Sequence, residues 1–245
     1  MENLTHGSLF SGIGGFEIAA EWSDIPTLWN CEIEPFNQKI LKQNFPNAKQ
    51  YNDIRKLQQP EYVDIISGGF PCQDISVAGK GVGIKGGRSG LWSEMWRIIR
   101  DTRPKYVIIE NSPALLIRGF ERVLCDLSEI GYDAEWECFQ ATDFGYPHKR
   151  ERIFCVAYPH KDNVQTVLQQ HREISPISKE ASTELRRFMS VEWVEGLTNY
   201  RTITRGNGLP NKMDRTKSLG NAIVPMIAYY IFECIKKHYS LQTNS

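Results

Sequence analysis

The first 157 residues alternate between short apolar runs and longer segments with helical periodicity. The apolar runs "VDIIS" and "YVIIE" have the length of buried strands, and segments such as "SGLWSEMWRII" space their apolar residues three and four positions apart. Strands that alternate with helices are typical of a doubly wound, Rossmann-like parallel sheet. We therefore predict an α/β fold of this class, in which "DAEWECFQA" and "RERIFCVAY" form a final strand pair.

The pattern changes at about residue 158. Residues 158–217 are polar, rich in turn-forming residues and basic towards their end, whereas "NAIVPMIAYYIFECIKKHY" predicts a long apolar helix. We expect three parts: a catalytic and cofactor-binding domain at 1–157, a short, loop-rich insertion at 158–217, and a C-terminal segment at 218–245 that returns to the first domain.

Composition narrows the possible partners. The 245 residues include 29 basic and 29 acidic side chains, so an anionic partner must be bound by a local patch. No apolar stretch has the length of a membrane span, and the N-terminus lacks the features of a signal peptide, so we expect a cytoplasmic protein. The six cysteines form no metal-binding pattern, and we interpret all but Cys72 as small buried residues.

A glycine-rich turn follows the first predicted strand, in "LFSGIGGFE". Gly12, Gly14 and Gly15 would allow a ligand to approach the backbone amides at a helix N-terminus, although such a turn can also be simply a tight turn. A dinucleotide fingerprint requires glycine where this chain has Glu17. A carboxylate there disfavours a pyrophosphate but is compatible with a cofactor that carries no phosphate.

Two acidic residues strengthen the cofactor interpretation. Glu32 ends the second predicted strand, where it could accept hydrogen bonds from ribose hydroxyls, and Asp53 follows the third, where an adenine amino group could donate. Both could instead be helix N-terminal residues stabilised by the helix dipole. Together with the glycines they favour S-adenosylmethionine.

The candidate catalytic residues lie at the carboxyl ends of the next two predicted strands. Cys72 and Glu110 would share one crevice, as a nucleophilic thiolate and a partly buried acid of raised pKa. Arg150 and Arg152 are two positions apart on a predicted strand and would therefore share a face, binding Glu110 or a phosphate. Alternatively, they are a solvated charge run with a weak ion pair.

The segment "QDISVAGKGVGIKGGRSG" contains six glycines and three cations, Lys80, Lys85 and Arg88. Such a composition cannot build a core. It predicts a mobile loop that closes over a polyanion, or else an ordinary surface loop.

Five blocks in order, "LFSGIGGFE", "GGFPCQDIS", "IIENSPALL", "GYPHKRERIF" and "SLGNAIVP", resemble the cytosine carbon-5 DNA methyltransferases. The resemblance covers about residues 7–158 and 190–238, and the compact form is similar to phage- and prophage-borne members. It implies S-adenosylmethionine as cofactor, double-stranded DNA as substrate and a place in DNA restriction-modification.

The resemblance also implies roles for individual residues. Cys72 would attack carbon 6 of a flipped-out cytosine, while Glu110 would hold or protonate ring nitrogen 3. Arg152 would contact the cytosine carbonyl, Arg150 would orient the site, and Asn111 would fix the loop that carries the nucleophile. Gln73 and Ser76 would fill or flank the gap in the duplex. The cofactor pocket would consist of Phe10, Gly12, Gly14, Gly15, Glu32, Asp53, Pro71 and Asn221.

The sequence departs from the family pattern in three respects. His148 replaces a usual glutamine, Ser112 replaces a usual valine, and the recognition segment is very short. Base and phosphate contacts would then depend on loops of residues 160–217 or on a partner. The cationic candidates in this region are Arg201, Arg205, Lys212 and Arg215, while Lys80 and Arg88 would contact DNA from the loop after Cys72.

Other functions stay open from the sequence. The same chemistry could act on transfer RNA, or the chain could be a catalytically silent nucleic-acid-binding relative. A Rossmann oxidoreductase is disfavoured by Glu17 and by the Pro-Cys-Gln block. We expect a monomer that needs no metal.

Overall fold

The computed structural model describes residues 4–71, 90–146, 149–160, 167–168 and 223–243. Seven strands are present in this part of the chain: β1 (His6–Leu9), β2 (Thr27–Cys31), β3 (Lys49–Tyr51), β4 (Ile65–Gly68), β5 (Tyr106–Asn111), β6 (Tyr132–Gln140) and β7 (Glu151–Pro159). The α-helices here are α1 (Gly15–Trp22), α2 (Pro35–Asn44), α3 (Leu91–Thr102), α4 (Leu115–Arg118), α5 (Phe120–Glu129) and α6 (Pro225–Thr243).

The strands form one sheet in the order β3-β2-β1-β4-β5-β7-β6. The strands β1 to β5 are parallel, and β7 is antiparallel to both of its neighbours, β5 and β6. The sheet is therefore mixed, whereas the sequence predicted a parallel one. The difference arises because β6 and β7 follow each other without a crossover helix, and antiparallel pairing needs no crossover.

Helices cover both faces of the sheet, as the doubly wound fold requires. Side chains alternate across each strand, so neighbouring residues enter different hydrophobic clusters. Ile65 and Ile108 pack on the side of α1 and α6. Ile66 and Ile109 pack on the side of α3 and α5. The central strands β4 and β5 are buried on both faces, which explains why they are continuous apolar runs in the sequence.

The C-terminal helix α6 packs against the beginning of the chain. The ring of Phe232 lies edge-on to His6 and Phe16, at centroid distances of 5.2 and 6.5 Å. At the other end of α1, the Lys236 Nζ donates a 2.9 Å hydrogen bond to the carbonyl of Ser23. Complete burial of a side chain such as Phe232 contributes about 2 kcal/mol to folding.

Three of the cysteines expected to be buried, Cys31, Cys155 and Cys234, are buried. The expectation is wrong for Cys125, which is exposed, and only partly right for Cys138. Cys125 lies on the outer face of α5, and Cys138 lies on β6, the last strand of the sheet, which has one unpaired edge.

Within the described ranges, no helix has the length and apolar character needed to cross a membrane. The same residues contain no group of three or more His, Cys, Asp or Glu side chains that could hold a metal ion. The expected recognition region, residues 158–217, lies outside the described residues except at 158–160 and 167–168, so its boundaries stay a prediction.

Candidate active site

Glu110 lies near the carboxyl end of β5, and only 7% of the residue is exposed. Its Oε1 atom is 3.0 Å from the Nε atom of Arg152 on β7. The strand register explains this ion pair. Glu110 is opposite Phe154, so Arg152 occupies the diagonal position, which a long side chain can bridge.

Burial raises the pKa of Glu110 to about 7, although the charges of Arg152 and Arg150 act in the opposite direction. The charges of both arginines therefore act on this carboxyl group, although Arg150 immediately precedes β7 and does not lie on the strand itself. Near neutral pH, Glu110 is divided between its acid and its carboxylate forms, as a general acid requires. Burial also lowers the pKa of Arg150, and so does the nearby charge of Arg152.

The segment after β4 is held against Glu110. The Asn111 Nδ2 donates a 2.9 Å hydrogen bond to the carbonyl of Phe70, which ties the end of β4 to the end of β5. A Cβ atom added at Gly69 would lie 2.6 Å from the Oε2 atom of Glu110, so only glycine leaves room for the acid. Pro71 follows at the surface. The backbone that leads to Cys72 is thus fixed beside the Glu110 carboxyl group.

The glycine turn after β1 has a backbone of mostly positive φ. Phe10, Gly12 and Gly14 have φ values of 55°, 57° and 96°. A positive φ is unusual for a residue with a side chain, such as Phe10, and such residues are typical of functional turns. A Cβ atom at Gly14 would lie 2.5 Å from the ring of Phe45, so this position excludes any side chain.

Glu32, directly after β2, is buried beneath this turn. Its Oε2 accepts a 2.7 Å hydrogen bond from the amide of Gly12, and its Oε1 accepts a 2.8 Å bond from the amide of Glu34. Burial raises its pKa, and these two backbone bonds counteract the rise. The Asn37 side chain also donates a hydrogen bond to Glu32, and a carboxylate has about four acceptor positions, so one position remains for a further donor, which fits a ribose and opposes a phosphate.

Asp53 follows β3 and caps a short 3-10 helix, Ile54–Lys56, by accepting a hydrogen bond from the amide of Arg55. The Arg55 side chain binds both carboxylate oxygens, and this hydrogen bonding lowers the pKa of Asp53. Asp53 is therefore a helix N-terminal residue, the alternative that its sequence position allowed. It also faces the carboxyl edge of the sheet, where a cofactor could reach it.

Three residues that shape the candidate active site were not expected from the sequence. Gly69 makes room for Glu110, Arg55 binds Asp53, and Ile223 packs against Gly15, where an added Cβ would lie 3.2 Å from the Ile223 Cβ. The paired glycines in "SGGFP" were the signal for Gly69. Spacing gave no signal for Ile223, which is more than 200 residues from the turn that it touches.

Several expected site residues lie outside the described residues, so their roles stay predictions. They are Cys72, Gln73, Ser76, Lys80, Arg88, Arg201, Arg205 and Asn221.

Residues 4–207 match the family model for C-5 cytosine-specific DNA methylases. The chain belongs to this family. The methyltransferase M2.BsuMI of Bacillus subtilis is 34% identical over 199 residues, which is 78% of this chain and 51% of that protein. The methyltransferase M1.ScrFI of Lactococcus lactis is 32% identical over 214 residues, which is 82% of this chain and 54% of that protein. Both are described as Type II methyltransferases.

Solved structures agree on the fold. Dnmt2 of Schizosaccharomyces pombe matches with a TM-score of 0.58 at 19% identity, over 73% of this chain and 57% of that one. The methyltransferase EhMeth of Entamoeba histolytica matches with a TM-score of 0.52 at 21% identity, over 67% of this chain and 56% of that one. At these identities the match establishes the Rossmann-like methyltransferase fold alone.

The chain spans about half the length of the curated relatives that it matches. S-adenosylmethionine is the cofactor that membership of the family implies, and Glu32 beneath the glycine turn fits a cofactor without phosphates.

Proposed function

We propose that this protein transfers a methyl group from S-adenosylmethionine to carbon 5 of a flipped-out cytosine in double-stranded DNA. The observation that carries the proposal is the buried Glu110–Arg152 pair beside the backbone of residues 69–71. An acid of pKa about 7 at this position matches the need to protonate a pyrimidine nitrogen at neutral pH. Membership of the family supports the same reaction.

In this mechanism the Cys72 thiolate forms a bond to carbon 6 of cytosine, and Glu110 gives its proton to ring nitrogen 3. The proton prevents negative charge from building up on the ring, so electron density reaches carbon 5. S-adenosylmethionine, when bound, supplies the methyl group for carbon 5. A base then removes the carbon-5 proton, the sulfur–carbon bond breaks, and Glu110 recovers its proton from nitrogen 3.

The arginines have separate tasks in this proposal. Arg152 holds the Glu110 carboxyl group by a 3.0 Å contact and presents its remaining donors to the cytosine carbonyl. Arg150 adds a second positive charge near Glu110, which offsets part of the cost of burying the carboxylate. The two cations keep the pKa of Glu110 near 7 rather than higher.

The cofactor would be held by the turn from Phe10 to Gly15. Glu32 would accept bonds from the ribose, Asp53 would accept one from the adenine amino group, and Pro71 and Asn221 would complete the pocket. Gln73, Ser76, Lys80 and Arg88 would contact DNA from the loop after the nucleophile, and Arg201 and Arg205 from the recognition region.

Methylation of DNA with labelled S-adenosylmethionine tests the proposal. We expect 5-methylcytosine from the wild type and none from Cys72→Ser, detected by bisulfite sequencing of the same DNA. Cys125→Ser is the matched control, because Cys125 is exposed on the outer face of α5 and should leave activity unchanged.

The other outcomes discriminate between the candidate functions. Methyl transfer to transfer RNA but not to DNA would show that the substrate is transfer RNA. Saturable binding of S-adenosylmethionine without transfer to either nucleic acid would indicate a silent relative. If Cys72→Ser were as active as the wild type, the covalent mechanism would be wrong even though the activity exists.

A further inference from the structure

Three hydrogen-bond donors converge on the carboxylate of Glu135, on β6. This residue shares a face of the strand with Phe139, which packs on the side of α1 and α6. The Tyr158 hydroxyl donates to its Oε1 atom at 2.6 Å. The backbone amides of Val167 and Leu168 donate to Oε1 at 2.6 Å and to Oε2 at 2.9 Å. A carboxylate has about four acceptor positions, so these bonds use most of them.

The strand register explains why Tyr158 reaches this carboxylate. Glu135 is opposite Val156 on β7, so Tyr158 occupies the diagonal position. Burial raises the pKa of Tyr158, and the hydrogen bond to Glu135 raises it further, so the hydroxyl stays a donor. Tyr158 therefore holds the Glu135 carboxylate from the strand side, while the two amides bind it from the segment that follows β7.

The burial of Val167 and Leu168 explains why a carboxylate is needed here. They are 0% and 7% exposed and belong to the hydrophobic cluster on the side of α1 and α6. Buried backbone amides are costly without acceptors. A carbonyl group offers one acceptor atom, whereas a carboxylate offers two and adds a full negative charge. Glu135 thus allows two successive amides to lie against the sheet.

The segment held in this way belongs to the expected recognition region, residues 158–217. The amide of His160 donates a 2.9 Å hydrogen bond to the carbonyl of Gly131, directly before β6. The chain after β7 is therefore attached beside β6 first at His160 and then, through Glu135, at residues 167–168. The sequence that continues from this second point contains the cations expected to contact DNA.

We propose that Glu135 is a positioning residue for DNA binding, which fixes Val167 and Leu168, and with them the start of the recognition region, on the catalytic sheet. The inference rests on the proposed function, because it assigns DNA contacts to the residues that follow. Arg152, which would contact the cytosine, lies on β7, the neighbour of β6. One antiparallel strand pair thus carries both the start of the recognition region and a residue of the candidate active site.

Hydrogen–deuterium exchange of DNA-free protein, followed by NMR at Val167 and Leu168, tests the attachment. Glu135→Gln replaces one acceptor oxygen by an NH₂ group, so at least one of the two amides loses its bond to a charged acceptor. We expect that amide to exchange at least about tenfold faster than in the wild type. Glu121→Gln is the matched control and should exchange like the wild type, because it removes the same charge from an exposed acid of α5, on the other side of the sheet.

Steady-state methylation tests the consequence for DNA. In Glu135→Gln the KM for DNA should rise at least about tenfold, while kcat and the KM for S-adenosylmethionine stay within about twofold of the wild type. A residue that merely stabilised the fold would not change the KM for DNA alone, because its loss would reduce the amount of active enzyme and lower kcat. Circular dichroism checks that each variant is folded.

Leu168→Pro is a second route to the same effect. It removes the amide that donates to the Oε2 atom and leaves Glu135 and the strands unchanged, so it too should raise the KM for DNA. Tyr158→Phe keeps both amide bonds and should change this KM by less than about threefold.

The proposal is overturned if amide exchange is unchanged in Glu135→Gln. It is equally overturned if an active Glu135→Gln and an active Leu168→Pro both bind DNA with the KM of the wild type, or if kcat falls as much as the KM rises. These outcomes leave the proposed function intact. A wild type that transfers no methyl group to DNA would overturn the proposed function, and this inference with it.

Discussion

At the scale of a single residue, two opposed influences set the pKa of the Glu110 carboxyl group. Burial favours its protonated form, whereas Arg152 and Arg150 favour the carboxylate, and the balance places the pKa at about 7. One pKa unit corresponds to about 1.4 kcal/mol. The loss of either influence would therefore move the pKa of Glu110 away from neutral pH. The site therefore depends on packing around the acid as much as on the acid itself.

We expect Glu110→Gln to lower the rate of methyl transfer by about 10² to 10⁴-fold, because the amide cannot give a proton to ring nitrogen 3. Single-turnover methylation of DNA measures the effect. Glu137→Gln on β6 changes an exposed acid and should leave the rate unchanged. Equal rates for wild type and Glu110→Gln would exclude a proton-donating role.

Gly69→Ala tests the space beside the acid. The new methyl group would approach the Oε2 atom of Glu110 to 2.6 Å, so the carboxyl group must move and methyl transfer should fall at least tenfold. Gly131→Ala is the control. It has a φ of 74° but no atom within 4 Å of an added Cβ, so it should lose about 1 kcal/mol of stability and keep its activity. Similar losses of activity in both variants would contradict this reasoning.

At the scale of elements, the contact between α1 and α6 joins the two ends of the described chain. Phe232 is fully buried on α6 and packs against His6 of β1 and Phe16 of α1. Ile223 packs against Gly15 in the glycine turn after β1, from the same segment. The C-terminal segment thus packs on β1, α1 and the glycine turn between them.

Phe232→Ala should reduce the free energy of unfolding by about 3–5 kcal/mol, because it leaves a cavity in a packed interface. Urea unfolding followed by circular dichroism gives the value. Leu241→Ala lies on the same helix with half of its surface exposed and should change stability by less than about 0.5 kcal/mol. A small effect at Phe232 would mean that α6 is not needed to hold α1.

Local pattern predicted the elements well but not their long-range partners. Glu32 directly follows β2 and Glu110 lies on the continuous apolar run of β5, and the parallel carboxyl ends place both acids at one edge. The antiparallel placement of β7 was not predicted, because register between segments more than 40 residues apart leaves no trace in periodicity. For the same reason Ile223 was missed, whereas Arg152 was found through a two-residue spacing on one strand.

At the scale of the whole molecule, a buried histidine links three strands of the sheet. The His6 Nδ1 atom is 2.8 Å from the Thr27 hydroxyl on β2, and its Nε2 atom is 2.7 Å from the Ser67 hydroxyl on β4. Burial lowers the pKa of His6 to about 3 from its usual 6.5. The folded protein therefore holds a neutral imidazole under conditions in which the unfolded chain binds a proton.

We expect the free energy of unfolding to fall as the pH decreases from 6.5 towards 3, because the unfolded state takes up a proton that the folded state cannot accept. This one group contributes a slope of about 1.4 kcal/mol per pH unit. Urea unfolding of His6→Gln across the same range should show a slope that is smaller by about this amount. An unchanged slope would mean that His6 is protonated in the folded protein.

The packing of α6 on β1 and α1 has a consequence for the timing of synthesis. A chain emerging from the ribosome presents β1 and the glycine turn first, but Phe16 and Gly15 gain Phe232 and Ile223 only after residues 223–243 have followed. The strands that bring Glu110 and Arg152 together are complete some 60 residues earlier. A nascent chain would thus bring Glu110 and Arg152 together before the glycine turn after β1 gains its packing partners on residues 223–243.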